Sequence, residues 1–150
     1  MGKGAKVVIF LFLLTSLSGC ARQSGGGEDP SGGGSELGRE FAVERGREVG
    51  ISGERLTVRF VSVTSESRCP EGAQCVWEGY ARILVRLGKE GEDIASVRLN
   101  TPDTLGEEYP SKVEYHGYTV ELVDLEPYPT VAEKDKAAEY VATLVVHKAR

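Results

Sequence analysis

Beyond residue 40, apolar and polar positions alternate along most of the chain with a period of two. Leu56, Val58 and Phe60 alternate with Thr57, Arg59 and Val61, the pattern of a half-buried strand. The phase then slips, because Val61 and Val63 are apolar at odd positions. A β-bulge near Phe60–Val61, or a stretch covered on both faces, accounts for the slip. Thr64–Ser67 reads as turn chemistry that ends this strand. The clearest strand follows, with Ala81, Ile83, Val85 and Leu87 against Arg82, Leu84 and Arg86. Gly88–Gly91 reads as a hairpin turn, after which Val97 and Leu99 point inward and Ser96 and Arg98 outward. Val113–Tyr115 and Tyr118–Leu122 flank His116-Gly117, the composition of a tight hairpin loop. Pro127 and Pro129 stop that strand, because proline has no N–H for a ladder. Tyr140–His147 is apolar on both faces, which suits a central strand.

Two segments are less regular. Phe41–Glu44 and Glu48–Ile51 read as one short edge strand broken at Arg45-Gly46-Arg47; short charged edges discourage pairing between molecules. Val131–Ala138 suits a single helical turn or a solvated loop equally. About eight strands, short turns and no amphipathic helix predict an all-β domain over residues 39–150. A β-sandwich with immunoglobulin-like topology fits best and a small closed barrel second. A domain of ~110 residues is long enough to close one core.

The first 38 residues follow another pattern. Lys3 and Lys6 precede Val7–Leu14, an unbroken apolar run, and small residues lead to Cys20. This is the layout of a secretory signal peptide over residues 1–19, and the run is too short for a membrane span of ~20 residues. Leu17-Ser18-Gly19-Cys20 resembles the lipobox of bacterial lipoproteins. The resemblance implies cleavage before Cys20, a diacylglycerol on its thiol, and acylation of the new N-terminus. It also implies lipid-anchored, extracytoplasmic placement at the cell membrane or outer membrane, with Ala21 favouring outer sorting in a Gram-negative cell. A retained short anchor and a soluble secreted chain are the alternatives. Residues 21–38, rich in glycine with serine and proline, read as a flexible tether with an r.m.s. reach of ~25 Å.

With Cys20 consumed by lipid, two of the three cysteines remain, Cys69 and Cys75, in an oxidising compartment. They are expected to form a disulfide worth about 2–2.5 kcal/mol by loop closure, fixing the turn Pro70–Gln74. A zinc site needs about four ligands, and only His116 and His147 are left to join the two cysteines. Trp77 is expected to cover the disulfide or cap the core, with ligand contact as the alternative. The run Cys69-Pro70-x4-Cys75-x-Trp77-x-Gly79, preceded by Arg68 and followed later by Pro127-Tyr128-Pro129, resembles a family of small, mostly uncharacterised bacterial lipoproteins and secreted proteins. That resemblance covers about residues 40–148 and implies architecture and address, with no established activity.

Charge narrows the partners. The chain has 18 basic and 23 acidic residues, and removal of Lys3 and Lys6 with the signal peptide leaves 16 basic. An acidic surface opposes nucleic acid and a polybasic hold on anionic lipid. Ser52 lacks the spacing of a nucleophile elbow, and there is no phosphate loop, HExxH or EF-hand. His116 and His147 read as surface residues, and Asp103, Glu107 and Glu108 as a solvated acidic loop rather than a Ca²⁺ site. No enzyme, cofactor or metal is expected. The expectation is a membrane-anchored, non-catalytic binding module for an unknown protein or small molecule. Arg68, Pro70, Glu71, Gln74 and Trp77 form its candidate interaction loop. The alternative is an inhibitor or ligand of an envelope or extracellular enzyme acting through that loop.

Overall fold

The structure is a computed structural model that describes residues 34–101, 110–133 and 139–150. Cys20 and the acidic trio Asp103, Glu107 and Glu108 lie outside the described residues. Among the described residues, eight strands build two antiparallel four-stranded sheets. One has the order β2 (Glu48–Ile51), β3 (Leu56–Glu66), β4 (Ala81–Lys89), β5 (Ala95–Asn100). The other has the order β1 (Glu40–Glu44), β8 (Val141–Lys148), β7 (Tyr118–Glu126), β6 (Lys112–Tyr115). The sheets face each other as the expected β-sandwich and are not closed on one another. Consecutive strands are neighbours within each sheet, and β1 lies beside β8. The cyclic order is therefore that of an up-and-down barrel split along two seams, between β1 and β2 and between β5 and β6.

The core follows from the alternation. Val58, Phe60, Ile83, Val85 and Leu87 from one sheet meet Val120, Leu122, Leu125, Leu144 and Val146 from the other, all buried. The phase slip seen in the sequence is a bulge: the β3–β4 register shifts between Phe60 and Ser62 and again between Val63 and Ser65. β8 lies inside its sheet, between β1 and β7. Leu144 and Val146 face the core, and Val145 on the other face is also buried. At the β6–β7 turn, His116 has φ 43° and Gly117 φ 84°, so both central residues are left-handed, as a type I′ hairpin requires.

Four local expectations need correction. Phe41–Glu44 and Glu48–Ile51 are not one broken strand. β1 pairs with β8 and β2 with β3, so the chain crosses a seam at Arg45-Gly46-Arg47. Thr64–Ser67 does not end β3, which runs to Glu66; Ser67 N–H still bonds Tyr80 O at 2.9 Å. The hairpin turn after β4 falls after Lys89 rather than at Gly88. The folded body also begins before residue 39. Ser35 N–H donates to Gly50 O at 2.8 Å, Ser52 N–H to Ser35 O at 2.7 Å, and Gly38 N–H to Val146 O at 2.8 Å. Leu37 packs against the core between these contacts. Part of Val131–Ala138 is a 3-10 turn, Val131–Glu133.

The sandwich has two poles. Gly34 and Ser35 enter beside Ile51, at the pole that also holds the start of β3, the β6–β7 turn and the end of β8. There Tyr118 Oη donates to Glu54 Oε2 at 2.6 Å, and Lys148 Nζ lies 3.1 Å from Glu54 Oε1. The tyrosine hydrogen bond first, then Lys148, hold the Glu54 carboxyl below its ordinary value. The same bond raises Tyr118, and burial is the leading cause that raises Tyr115 and Tyr140. A carboxyl with a depressed folded value gives stability above its unfolded value and loses it as pH falls through the folded one. Tyrosines with raised folded values give stability below pH ~10 and lose it as pH rises through their raised values. Urea unfolding across pH should therefore fall off on both flanks. Tyr118→Phe leaves the Glu54 carboxyl nearer its ordinary value and should make the acid loss of stability smaller, and acid flanks of equal depth for the two proteins would contradict the Glu54 assignment.

Candidate functional site

The opposite pole is formed by the β3–β4 connection. Beyond Glu66 and Ala81 the two strands keep pairing through Ser67–Tyr80, and Cys69 N–H donates to Glu78 O at 2.7 Å. The expected disulfide closes the tip: Cys69 and Cys75 are bonded, with Cα atoms 5.9 Å apart. Inside it, Ala73 N–H reaches Pro70 O at 3.0 Å. Gly79 lets the returning chain pass. Its φ is +69°, and a Cβ there would sit 1.8 Å from the Ser67 carbonyl oxygen. The glycine that closes the cysteine motif is thus required by a close backbone approach.

Arg68 is buried at 5% exposure and turns inward rather than toward a partner. Its guanidinium forks onto Glu66, with Nε 3.0 Å from Oε1 and Nη2 2.6 Å from Oε2. It then crosses to the other sheet. Nη1 donates to Leu125 O at 2.5 Å and Nη2 to Pro127 O at 3.1 Å. The Tyr128 ring lies 4.7 Å from the guanidinium carbon, a cation–π contact. Tyr140 Oη is 3.4 Å from Glu66 Oε2. A planar fork with five donors suits this arrangement of a carboxylate and two carbonyls; a lysine would not. Arg68 therefore staples the two sheets where the sandwich would otherwise be open.

The segment after β7 serves as a strap. Glu71 pairs with Thr130 in a parallel bridge: Glu71 N–H donates to Pro129 O at 2.9 Å, and Val131 N–H reaches Glu71 O at 3.4 Å. Pro127 and Pro129 have no N–H to leave unpaired, yet each offers a carbonyl, one to Arg68 and one to the cysteine loop. The loop is thus fixed by its disulfide, by the strap and by the arginine beneath it.

The outward face differs from expectation. Trp77 does not cap the core; it is 70% exposed, and Val76 beside it is fully exposed. The bonds at Cys69, Ser67 and Glu71 commit the loop backbone to the strap and the hairpin stem, which leaves residues 71–78 facing water. Tyr128 and Val131 on the strap are the other exposed large apolar side chains of these two segments. Pro70 is half-buried at the loop base, and Glu71 and Gln74 are exposed. Four of the five candidate loop residues thus border the solvent face and Arg68 supports it. Sequence reasoning missed Val76 and the strap; proline–tyrosine–proline directly after a strand was the available signal.

His116 and His147 are both exposed and sit on different turns and strands. His116 Nδ1 is 3.4 Å from Glu92 Oε2, and its ring meets that of Tyr115 edge-on. Among the described residues, no group of three or more His, Cys, Asp or Glu side chains could hold a metal ion. What the fold and site define is an all-β sandwich with one braced, solvent-facing disulfide loop. No protein-family model, curated protein or solved structure matches the chain.

Proposed function

We propose that the chain is a lipid-anchored extracytoplasmic lipoprotein whose sandwich is a non-catalytic binding module with the Cys69–Cys75 loop as its contact surface. One observation carries the reading: Val76 and Trp77 stand in water on a loop braced from below and from the side. Exposed apolar side chains on a rigid support are what an interface uses, because little entropy is lost on binding. Tryptophan is among the residues that most often carry such contacts. The address rests on the likeness of Leu17-Ser18-Gly19-Cys20 to a lipobox, with diacylglycerol at Cys20 as the link to the membrane. The pre-organised loop also favours the second reading, an inhibitor or ligand of an envelope enzyme.

Cross-linking on intact cells tests the module. Adducts of the native chain should disappear when Val76→Ser and Trp77→Ser are combined. Unchanged adducts would place the contact elsewhere and overturn the reading. Inhibition of a protease panel, lost on Cys69→Ser/Cys75→Ser, would select the inhibitor form.

A further inference from the structure

The chain enters the sandwich at one pole and presents its loop at the other. Gly34 and Ser35 pair beside Ile51, opposite the start of β3, while the loop grows from the end of β3. β3 has 11 residues, which at ~3.3 Å each separates the poles by roughly 35 Å. A chain held ahead of Gly34 would carry its loop at the end of the sandwich farther from the attachment.

The loop also has a definite charge. Glu71 and Glu78 flank Val76 and Trp77, and Glu126 begins the strap; all three are exposed. Arg68 is the only basic residue within Ser67–Tyr80 and Glu126–Glu133, and it is buried against Glu66 and two carbonyls. What these two segments turn outward is an apolar pair with acidic neighbours, and Arg82, its guanidinium carbon 5.3 Å from the Tyr80 ring, lies at the base of the hairpin.

We propose that this pole is a docking surface for a second protein that offers a basic rim around a pocket able to take the Trp77 indole. The proposal deepens the binding-module reading and rests on it. Charge selects the occupant. An anionic lipid surface would repel Glu71 and Glu78. A second copy of this chain, meeting about a two-fold axis, would bring the same acidic rims together. Lysines and arginines around an apolar pocket complement the rim, steer the encounter and leave Trp77 as the buried anchor.

The test uses the full-length protein in the cells that make it. A photoreactive phenylalanine analogue is placed at Val76 or, as a control, at Ile94, which is 68% exposed on the β4–β5 connection. A discrete protein adduct is expected from position 76 and not from position 94, with the cross-linked partner peptide rich in lysine or arginine. Trp77→Ala should reduce the adduct about tenfold to a hundredfold, as loss of a central aromatic anchor does. Glu71→Lys/Glu78→Lys should reduce it at least tenfold and Glu71→Gln/Glu78→Gln by less. Adduct to lipid alone, adduct at twice the mass of the chain, equal yield from position 94, or no adduct would overturn the proposal. An adduct that needs Trp77 but ignores charge reversal would overturn it while leaving the binding module standing. The position-76 result is scored the same way whether or not Cys20 carries lipid, so failure of the anchor is read separately from failure of the docking surface.

Discussion

Arg68→Ala is expected to destabilise the folded domain by about 3–5 kcal/mol, the range for removing one partner of a buried ion pair. The substitution leaves Glu66 without its fork and the Leu125 and Pro127 carbonyls without their donor. It also removes the side chain that ties the end of β3 to the carbonyls of Leu125 and Pro127 at the end of β7. Against a typical total of 5–15 kcal/mol this is a large share, and it corresponds to a fall in Tm of about 10–20 °C. Arg68→Lys should recover little, because an ammonium cannot bridge a carboxylate and two carbonyls with one plane of donors. The contrast with Arg39 decides the argument. Arg39 Nε is as close to its carboxylate, 2.9 Å from Glu36, but 78% of its side chain is in water. Arg39→Ala should therefore change stability by no more than about 0.5 kcal/mol. Equal effects of the two substitutions in denaturant unfolding would refute the staple.

The second large effect is expected at Gly79. An L residue at φ +69° costs about 1–2 kcal/mol by itself. A Cβ placed 1.8 Å from the Ser67 carbonyl oxygen cannot be accommodated without moving backbone. Movement there breaks the Ser67–Tyr80 and Cys69–Glu78 hydrogen bonds, each worth about 1 kcal/mol. Gly79→Ala should lose about 3–4 kcal/mol and increase exchange at the Cys69 amide. Gly91 is the control, with φ +84° and nothing within 4 Å of a Cβ. Gly91→Ala should show the backbone penalty alone, and a loss at Gly79 no larger than at Gly91 would exclude the close approach.

The strands were legible in the sequence wherever one face is buried, because the period of two then reports the pleat. The bulge at Val61 was visible for the same reason: an extra residue reverses the phase. His116-Gly117 was legible because the turn needs two left-handed residues and glycine supplies one without strain. The sheet assignment of β1 and β2 was not. Alternation says which side of a strand is buried, and a strand has the same pattern whichever sheet it joins. Trp77 and Arg68 were read the wrong way round by residue type, since tryptophan is expected inside and arginine outside. Their exchange comes from partners remote in the chain. The carbonyls of Leu125 and Pro127 make burial of an arginine tolerable, and the Glu71–Thr130 pairing commits the loop backbone so that Trp77 has no core to enter. The disulfide was expected because the lipobox reading sets Cys20 aside, which leaves Cys69 and Cys75 as a pair, and these two are bonded.

The proposed contact surface depends on an aromatic side chain held in water by a folded support, and Trp77 is the only tryptophan in the chain. Its fluorescence is therefore the most direct measurement. The native protein should emit as indole does in water, be readily quenched by the neutral quencher acrylamide, and shift little when guanidinium unfolds it. Emission that is blue-shifted and shielded from acrylamide in the native state, and moves to the red on unfolding, would show Trp77 buried and contradict the account.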